Sequence, residues 1–265
     1  MISLKHVKMG FNNVTLLNNI TFSVEKGERV ALVGPGGCGK STILKILLGL
    51  LTPQEGEVLL MGEDITAAGE GEKRELLKSV GMAFQQGALF DFMTVEENLL
   101  FAMDNMTEKS TEEKHKRVIE LLEGVKLGRT TKQYPFELSG GMQRRVGIAR
   151  ALCTDPILAI FDEPTSGLDP VTSTIILNMI TELGGSDEPD KAQMVVTSNV
   201  EIGIRFAKRI IVINEGRVVA DGPWRELLVD SSDWVKNFLG VRFIGLDLSY
   251  AKELDLPDKF IAQHW

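Results

Sequence analysis

The stretch Gly34-Pro35-Gly36-Gly37-Cys38-Gly39-Lys40-Ser41, with Thr42 behind it, fits the spacing G-x-x-x-x-G-K-[ST] of a phosphate-binding loop. That spacing constrains the fold because it works only between a buried strand and a helix. Both flanks comply. Arg29, Val30, Ala31, Leu32 and Val33 form a short apolar run, and Ile43, Leu44, Ile46, Leu47 and Leu50 recur at helical spacing. Glycines let backbone N–H groups turn inward, and the helix N-terminus adds a partial positive charge aimed at the same anion. In such a loop Lys40 reaches the terminal phosphates of a nucleotide and the Ser41 hydroxyl holds Mg²⁺.

A formal net charge of −8 over 265 residues, with no basic run to offset it, argues against a nucleic-acid backbone as partner. The most apolar stretches, residues 43–51 and 157–161, fall well short of the roughly 18 residues that span a bilayer. Residues 2–9 interleave apolar positions with Lys5, His6 and Lys8 and do not read as a secretory signal. Cys38 and Cys153 lack metal-ligand spacing and suit a reducing compartment, so a cytosolic protein is expected.

Residues 2–9 read as an alternating strand, residues 20–24 as a second, and residues 25–28 as a hairpin turn into the strand before the loop. Pro53 and Gly56 stop the helix that follows the loop, and residues 57–61 form another strand. Residues 80–84 are a strand delivering Gln85 to its C-terminal end, where open α/β sheets bind ligands. From residue 86 to 138 the pattern turns helical and the strands then resume, which marks an insertion rather than a separate domain. Residues 139–152 are helical, residues 157–161 form a central strand buried on both faces, and residues 172–183 are a helix. Residues 184–192 read as a polar loop, residues 193–197 as a strand, and residues 210–214 and 217–220 as strands flanking the turn at Glu215 and Gly216. Residues 224–239 predict one helix or two.

Asp162-Glu163-Pro164 follows the apolar strand of residues 157–161. If that strand lies beside the loop strand in a parallel sheet, Asp162 holds Mg²⁺ directly or through water. Glu163 is then placed to polarise a water in line with the terminal phosphate, and such general-base action is worth roughly 10²- to 10⁴-fold. A third element is Leu138-Ser139-Gly140-Gly141-Met142-Gln143. Ser139 fits an N-cap, the glycines allow close approach, and the following helix points its positive end at an anion.

Taken in order, these elements resemble the ATP-binding-cassette ATPases. The Walker A motif is at residues 34–41, the Q-loop at Gln85, the signature at Ser139, Gly140, Gly141 and Met142, and the Walker B motif at residues 157–162. Glu163 and the D-loop Ser166-Gly167-Leu168-Asp169 complete the series. The resemblance covers about residues 1–225 and implies an α/β fold. Its P-loop NTPase core has a mixed sheet, an N-terminal antiparallel β part and an α-helical insertion at about residues 86–152. It further implies ATP and Mg²⁺ as cofactors and ATP hydrolysis as the activity. Glu163, Gln85 and Asn199 are the implied catalytic positions, and Ser41, Gln85 and Asp162 the metal ones. The P-loop residues through Thr42 contact the nucleotide, together with Ser139, Gly140, Gly141 and Asp169. Phe11 lies where the family places an aromatic that stacks on adenine; an ordinary packed aromatic is the other reading. Family members act in pairs, each ATP held between the Walker A of one subunit and the signature of the other. A homodimer is therefore expected, peripheral at the cytoplasmic face of the inner membrane, under a transmembrane permease and without nucleic acid.

Residues 84–90 and 93–98, with the signature stretch 139–145, are similar to ATPases serving MCE-type lipid transporters, the group containing the Mla system. That resemblance implies lipid cargo, an MCE-type substrate-binding protein and a small regulatory subunit. The permease would dock on residues 85–93 and the helical insertion, where Leu89, Phe90, Phe92 and Met93 form a socket or belong to the core. A polar-solute importer is the alternative cargo reading.

Where the family carries a histidine that contacts the terminal phosphate, Asn199 is taken as its replacement. An amide still donates a hydrogen bond but carries no charge, which motivates a low-turnover, nucleotide-sensing reading. Cys38 is either a reactive thiol near a helix N-terminus or an inert small residue. Residues 226–265 form a C-terminal extension; those beyond Gly240 are too apolar to float and too few for a domain, so they either clasp a second subunit or dock on their own chain.

Overall fold

The computed structural model describes residues 1–12, 14–185, 188–240, 243 and 255–264. In chain order, β1 (Ile2–Phe11) and β2 (Val14–Val24) form a hairpin, and β3 (Arg29–Val33) leads through the P-loop into α1 (Lys40–Leu47). β4 (Glu55–Leu60), β5 (Glu63–Asp64), α2 (Glu70–Leu77) and β6 (Val80–Ala83) follow. The insertion holds α3 (Val95–Met106) and α4 (Thr111–Gly124), and α5 (Gly140–Leu152) returns the chain to β7 (Leu158–Asp162). Then come α6 (Pro170–Leu183), β8 (Ala192–Thr197), α7 (Val200–Phe206), β9 (Arg209–Asn214) and β10 (Arg217–Pro223). The C-terminal helices are α8 (Trp224–Asp230), α9 (Asp233–Gly240) and α10 (Asp258–His264).

Two sheets result. The N-terminal sheet is antiparallel in the order β2-β1-β4-β5, and the larger one runs β10-β9-β3-β8-β7-β6. All neighbours in the larger sheet are parallel except the β9–β10 hairpin. The mixed sheet, the antiparallel N-terminal part and the helical insertion agree with the expected α/β P-loop fold.

Alternate residues of the central strands feed two separate cores. Val30, Leu32, Leu158, Ile160, Met194, Val196, Ile211 and Ile213 face the N-terminal sheet and α1. Ala31, Val33, Ala159, Phe161, Val195, Ile210 and Val212 face the helices on the other side. Burial on both faces is why these strands read as unbroken apolar runs rather than alternating ones.

Two expectations change. Residues 25–28 do not turn a hairpin, because β2 and β3 lie in different sheets. The turn crosses between them, and Glu28 there binds Arg209 at 2.8 Å, which also pairs with Asp221. Second, β7 does not adjoin β3: β8 lies between them, hydrogen-bonded to both. The sequence pattern does not announce α2. None of its residues is buried, so it offers no apolar period, and Glu72 fixes its start by accepting the Gly69 N–H at 2.9 Å.

Residues 224–240 form two helices as expected, and the described residues beyond them pack on their own chain. Phe243 stacks on Trp224, and Phe260 meets Phe243 edge to face. Phe260 is buried in the helical-side core with Leu228, Leu239 and Leu256. The apolar positions Val241, Ile244, Leu246, Leu248, Tyr250, Leu254 and Trp265 lie outside the described residues.

Candidate active site

The strands of the large sheet end flush. Val33 of β3 pairs with Thr197 of β8, and Val196 of β8 pairs with Asp162 of β7, so the P-loop and the Asp162–Glu163 pair leave the same edge of one sheet. Hydrogen bonding closes the loop onto its surroundings. Cys38 N–H donates to the Pro35 carbonyl at 3.4 Å, and the Gly216 N–H of the β9–β10 turn donates to the Cys38 carbonyl at 3.2 Å. Gly39 has φ 110°, and a Cβ there would meet Leu17 Cδ2 at 2.5 Å, so only glycine fits beneath β2.

Lys40 is buried and its Nζ donates to the carbonyls of Gly34 and Pro35 at 2.8 and 2.9 Å. This holds its charge inside the loop. No side chain caps α1, and a Cβ at Gly36 or Gly37 would meet nothing within 4 Å. An uncapped helix start, a central ammonium and an open rim fit a polyphosphate. Ser41 is exposed at this rim and Thr42 half-buried. Cys38 is packed rather than presented: it is buried, and its Sγ would lie 2.7 Å from a Cβ at Gly34. The inert reading accounts for that placement.

Asp162 is half-buried at the end of β7. Burial pushes its carboxyl up to about 6, the charge of Glu163 adds to this, and Lys40 opposes it. A carboxylate that resists its own charge fits a position made to face a cation. Among the described residues no group of three or more His, Cys, Asp or Glu side chains could cage a metal. That donor set suits Mg²⁺, which takes one or two protein ligands and completes its shell with phosphate and water; Ser41 and Asp162 would hold it.

Glu163 follows at φ 44°, in the left-handed region. Its N–H donates to the Val196 carbonyl at 2.8 Å, so the residue leans across onto β8. Thr197 Oγ1 donates to Glu163 Oε2 at 2.9 Å, and Ser198 N–H donates to Oε1 at 2.7 Å. Thr197 and Ser198 were not singled out in the sequence. The available signal was a hydroxyl pair closing an apolar strand. Asn199, the expected stand-in for the phosphate-contacting histidine, lies one residue further on. Its Oδ1 accepts the Glu201 N–H at 3.0 Å and caps α7. The structure thus puts Ser198 at the strand exit beside Glu163.

Phe11 ends β1 at 49% exposure and is no core aromatic. It pairs with Val14, three residues along β2 from the Leu17 that touches the P-loop, about 10 Å at strand rise. Ser139 is the N-cap of α5, accepting the Met142 N–H at 3.3 Å, with Gly140 and Gly141 at the helix start. Gly140 and Gly141 share a cleft with Gln85 and residues 166–168, and no P-loop residue lines it. Arg144, one turn into α5, donates to the carbonyls of both Gln85 and Ser166. Asp169 caps α6 through the Thr172 N–H and hydroxyl at 3.0 and 2.6 Å, which hold its carboxyl below the usual range. The P-loop, Asp162 and Glu163 therefore gather at one sheet edge, while Ser139 to Gly141 form the start of α5, apart from it.

A cradle for phosphates beside a hydrogen-bonded carboxylate is equipped to bind a nucleoside triphosphate and pass its terminal phosphoryl group to water. Comparison with known proteins bears on this. Residues 17–166 match the ABC transporter family. The glutamate/aspartate import ATP-binding protein GltL of Escherichia coli K12 is 37% identical over 90% of this chain and 98% of its own length. The intermembrane phospholipid transport system ATP-binding protein MlaF of Haemophilus influenzae is 35% identical over 96% of this chain and 98% of its own. Among solved structures, the dimeric post-hydrolysis state of the ATP-binding cassette MJ0796, bound to ADP and Pi, superposes with a TM-score of 0.76 at 33% identity. It covers 84% of this chain, and 98% of that chain is matched.

Proposed function

The chain belongs to the ABC transporter family as an ATP-binding, ATP-hydrolysing subunit, and from that footing we propose that it works as a homodimer beneath a membrane permease for phospholipid or a related lipid. Lys40 and the P-loop amides bind the phosphates, with Phe11 stacking on the base. Mg²⁺, when held by Ser41 and Asp162, would neutralise charge on the phosphate oxygens. Glu163 takes the proton of the attacking water. Ser139, Gly140 and Gly141 close on the nucleotide of the second subunit, which is how one chain with two separated anion-facing ends makes complete sites only as a pair.

One observation carries the transport reading. An apolar groove of about 430 Å³ opens between the Gln85 loop and the helical insertion, lined by Leu50, Met82, Phe84, Phe90, Phe101 and Met106. Leu50, Phe84, Phe101 and Met106 remain exposed. An apolar concavity of this kind suits an amphipathic helix from a partner, and it adjoins the loop that carries Gln85. No helix among the described residues is long and apolar enough to cross a membrane, so a separate permease supplies the passage.

For the cargo, the likeness to the phospholipid-transport protein runs through 96% of the chain. With that reading go an MCE-type substrate-binding protein and a small regulatory subunit as partners. The likeness to the glutamate/aspartate importer supports a polar-solute reading at 37% identity. Reconstitution with the copurifying permease in liposomes separates the two. ATP-dependent movement of labelled phospholipid, lost in Glu163→Gln, is the expected result. Movement of glutamate with no movement of lipid would replace the lipid reading with the importer one.

A further inference from the structure

We propose that Thr197 is a positioning residue for hydrolysis, one that fixes the carboxylate of Glu163 against the exit of β8. The inference rests on the reading of Glu163 as the residue that activates water.

Glu163 leaves β7 at φ 44°, a left-handed conformation that is strained for a non-glycine residue. A glutamate held there needs specific partners, and it has them along β8. Its N–H binds the Val196 carbonyl at 2.8 Å, and its two carboxylate oxygens take the Thr197 hydroxyl at 2.9 Å and the Ser198 N–H at 2.7 Å. A β-turn then closes behind it, where the Ser166 N–H donates to the Glu163 carbonyl at 3.2 Å.

Thr197 is the adjustable member of this set, because the others are backbone groups. Its side chain is fully buried, at 0% exposure, and its β-branch restricts χ1. The Asn199 N–H donates to Thr197 Oγ1 at 3.0 Å, which occupies a lone pair and leaves the hydroxyl proton to point at Glu163 Oε2. Each carboxylate oxygen receives one donor and keeps a second lone pair free, so Glu163 is fixed in place yet able to accept from a water. Misplacing a reacting group by about 1 Å costs up to roughly 100-fold in rate, so losing one of two such donors falls on turnover rather than on nucleotide binding.

The test is ATP hydrolysis by the purified full chain, under steady-state and single-turnover conditions, with ATP binding and thermal unfolding measured on the same preparations. Thr197→Val keeps the shape and removes the hydroxyl. Its turnover is expected to fall about 10- to 100-fold, with ATP affinity within about twofold of the parent. Thr197→Ser restores the hydroxyl and most of the rate. Adding Thr197→Val to Glu163→Gln causes no further loss. If Thr197→Val does not fold, Thr197→Ala against Thr197→Ser makes the same comparison. Turnover in Thr197→Val that is unchanged or raised overturns the proposal, as does a Thr197→Ser variant no better than Thr197→Val. Full turnover in Glu163→Gln is a different failure: it removes the reading of Glu163 itself.

Discussion

Asp162 is a carboxylate in a place that resists charge, with burial as the main cause of a value near 6 against an ordinary 3.8. Between those values the folded chain holds more protons at this group than the unfolded chain, so stability falls as pH rises through the window. Asp162→Asn removes the penalty. In magnesium-free buffer near about pH 7.5 it should melt roughly 2–4 °C higher than the parent, with the gap closing towards about pH 4. A gap of the same size at both ends would assign the gain to something other than this charge. Past the end of β8, the hydrogen bonds of Ser198 and Asn199 change which substitution is informative. Ser198 stands beside Glu163, whereas Asn199 caps α7. Ser198→His should raise turnover if a ring at the strand exit helps hydrolysis. Asn199→His should instead lose the cap, about 1 kcal/mol, and melt lower without a gain in rate. Assays of the two variants side by side decide this; a faster Asn199→His would return the role to that position. Residue types at Lys40, Ser41, Asp162 and Glu163 could be read from the sequence because each follows an apolar strand. The end of β8 at Thr197 could be read as well, but not which of Ser198 and Asn199 stands beside Glu163, since both are polar and both tolerate a strand exit.

Among the elements, α5 organises the loop between the groove and the catalytic turn. Arg144, Gly147 and Arg150 recur along it every three residues. Arg144 binds the Gln85 and Ser166 carbonyls, and Arg150 binds those of Gly87 and Ala88. Between them the backbones almost touch: a Cβ on Gly147 would lie 2.9 Å from Gly87 Cα. A partner that moves the Gln85 loop therefore pulls through Arg144 on the turn that follows Glu163. Arg144→Ala should speed amide hydrogen exchange several-fold in both residues 84–90 and residues 163–168, whereas Arg150→Ala should affect only the first segment. If Arg144→Ala leaves residues 163–168 unchanged, the two loops are not linked through this side chain. Gly147→Ala should separate loop and helix at a cost of about 1–3 kcal/mol. The glycine and the arginines were visible in the sequence, but their common stripe against residues 85–88 was not, because it depends on how the insertion folds back. By contrast, α3 and α4 announced themselves through apolar positions such as Leu99, Met103, Val118 and Leu122, all buried.

At the scale of the whole molecule, the described part of the C-terminal extension packs into the helical-side core. Phe260 is 1% exposed and lies so close to Gly240 that a Cβ there would sit 2.9 Å from its ring. Phe260→Ala should release α10 at a local cost of about 3 kcal/mol and open the chain beyond residue 240 to protease, while the sheet stays intact. Protease resistance equal to the parent would contradict this docking. The order of the sheet has a consequence for everything built on its edge. Because β8 separates β3 from β7, two ladder spacings of about 4.8 Å set roughly 10 Å between the strand that launches the P-loop and the strand that launches Glu163. The span works as a caliper whose jaws are graduated in backbone hydrogen bonds. Repacking either core can loosen the molecule, but it cannot reset the jaws without unzipping a strand.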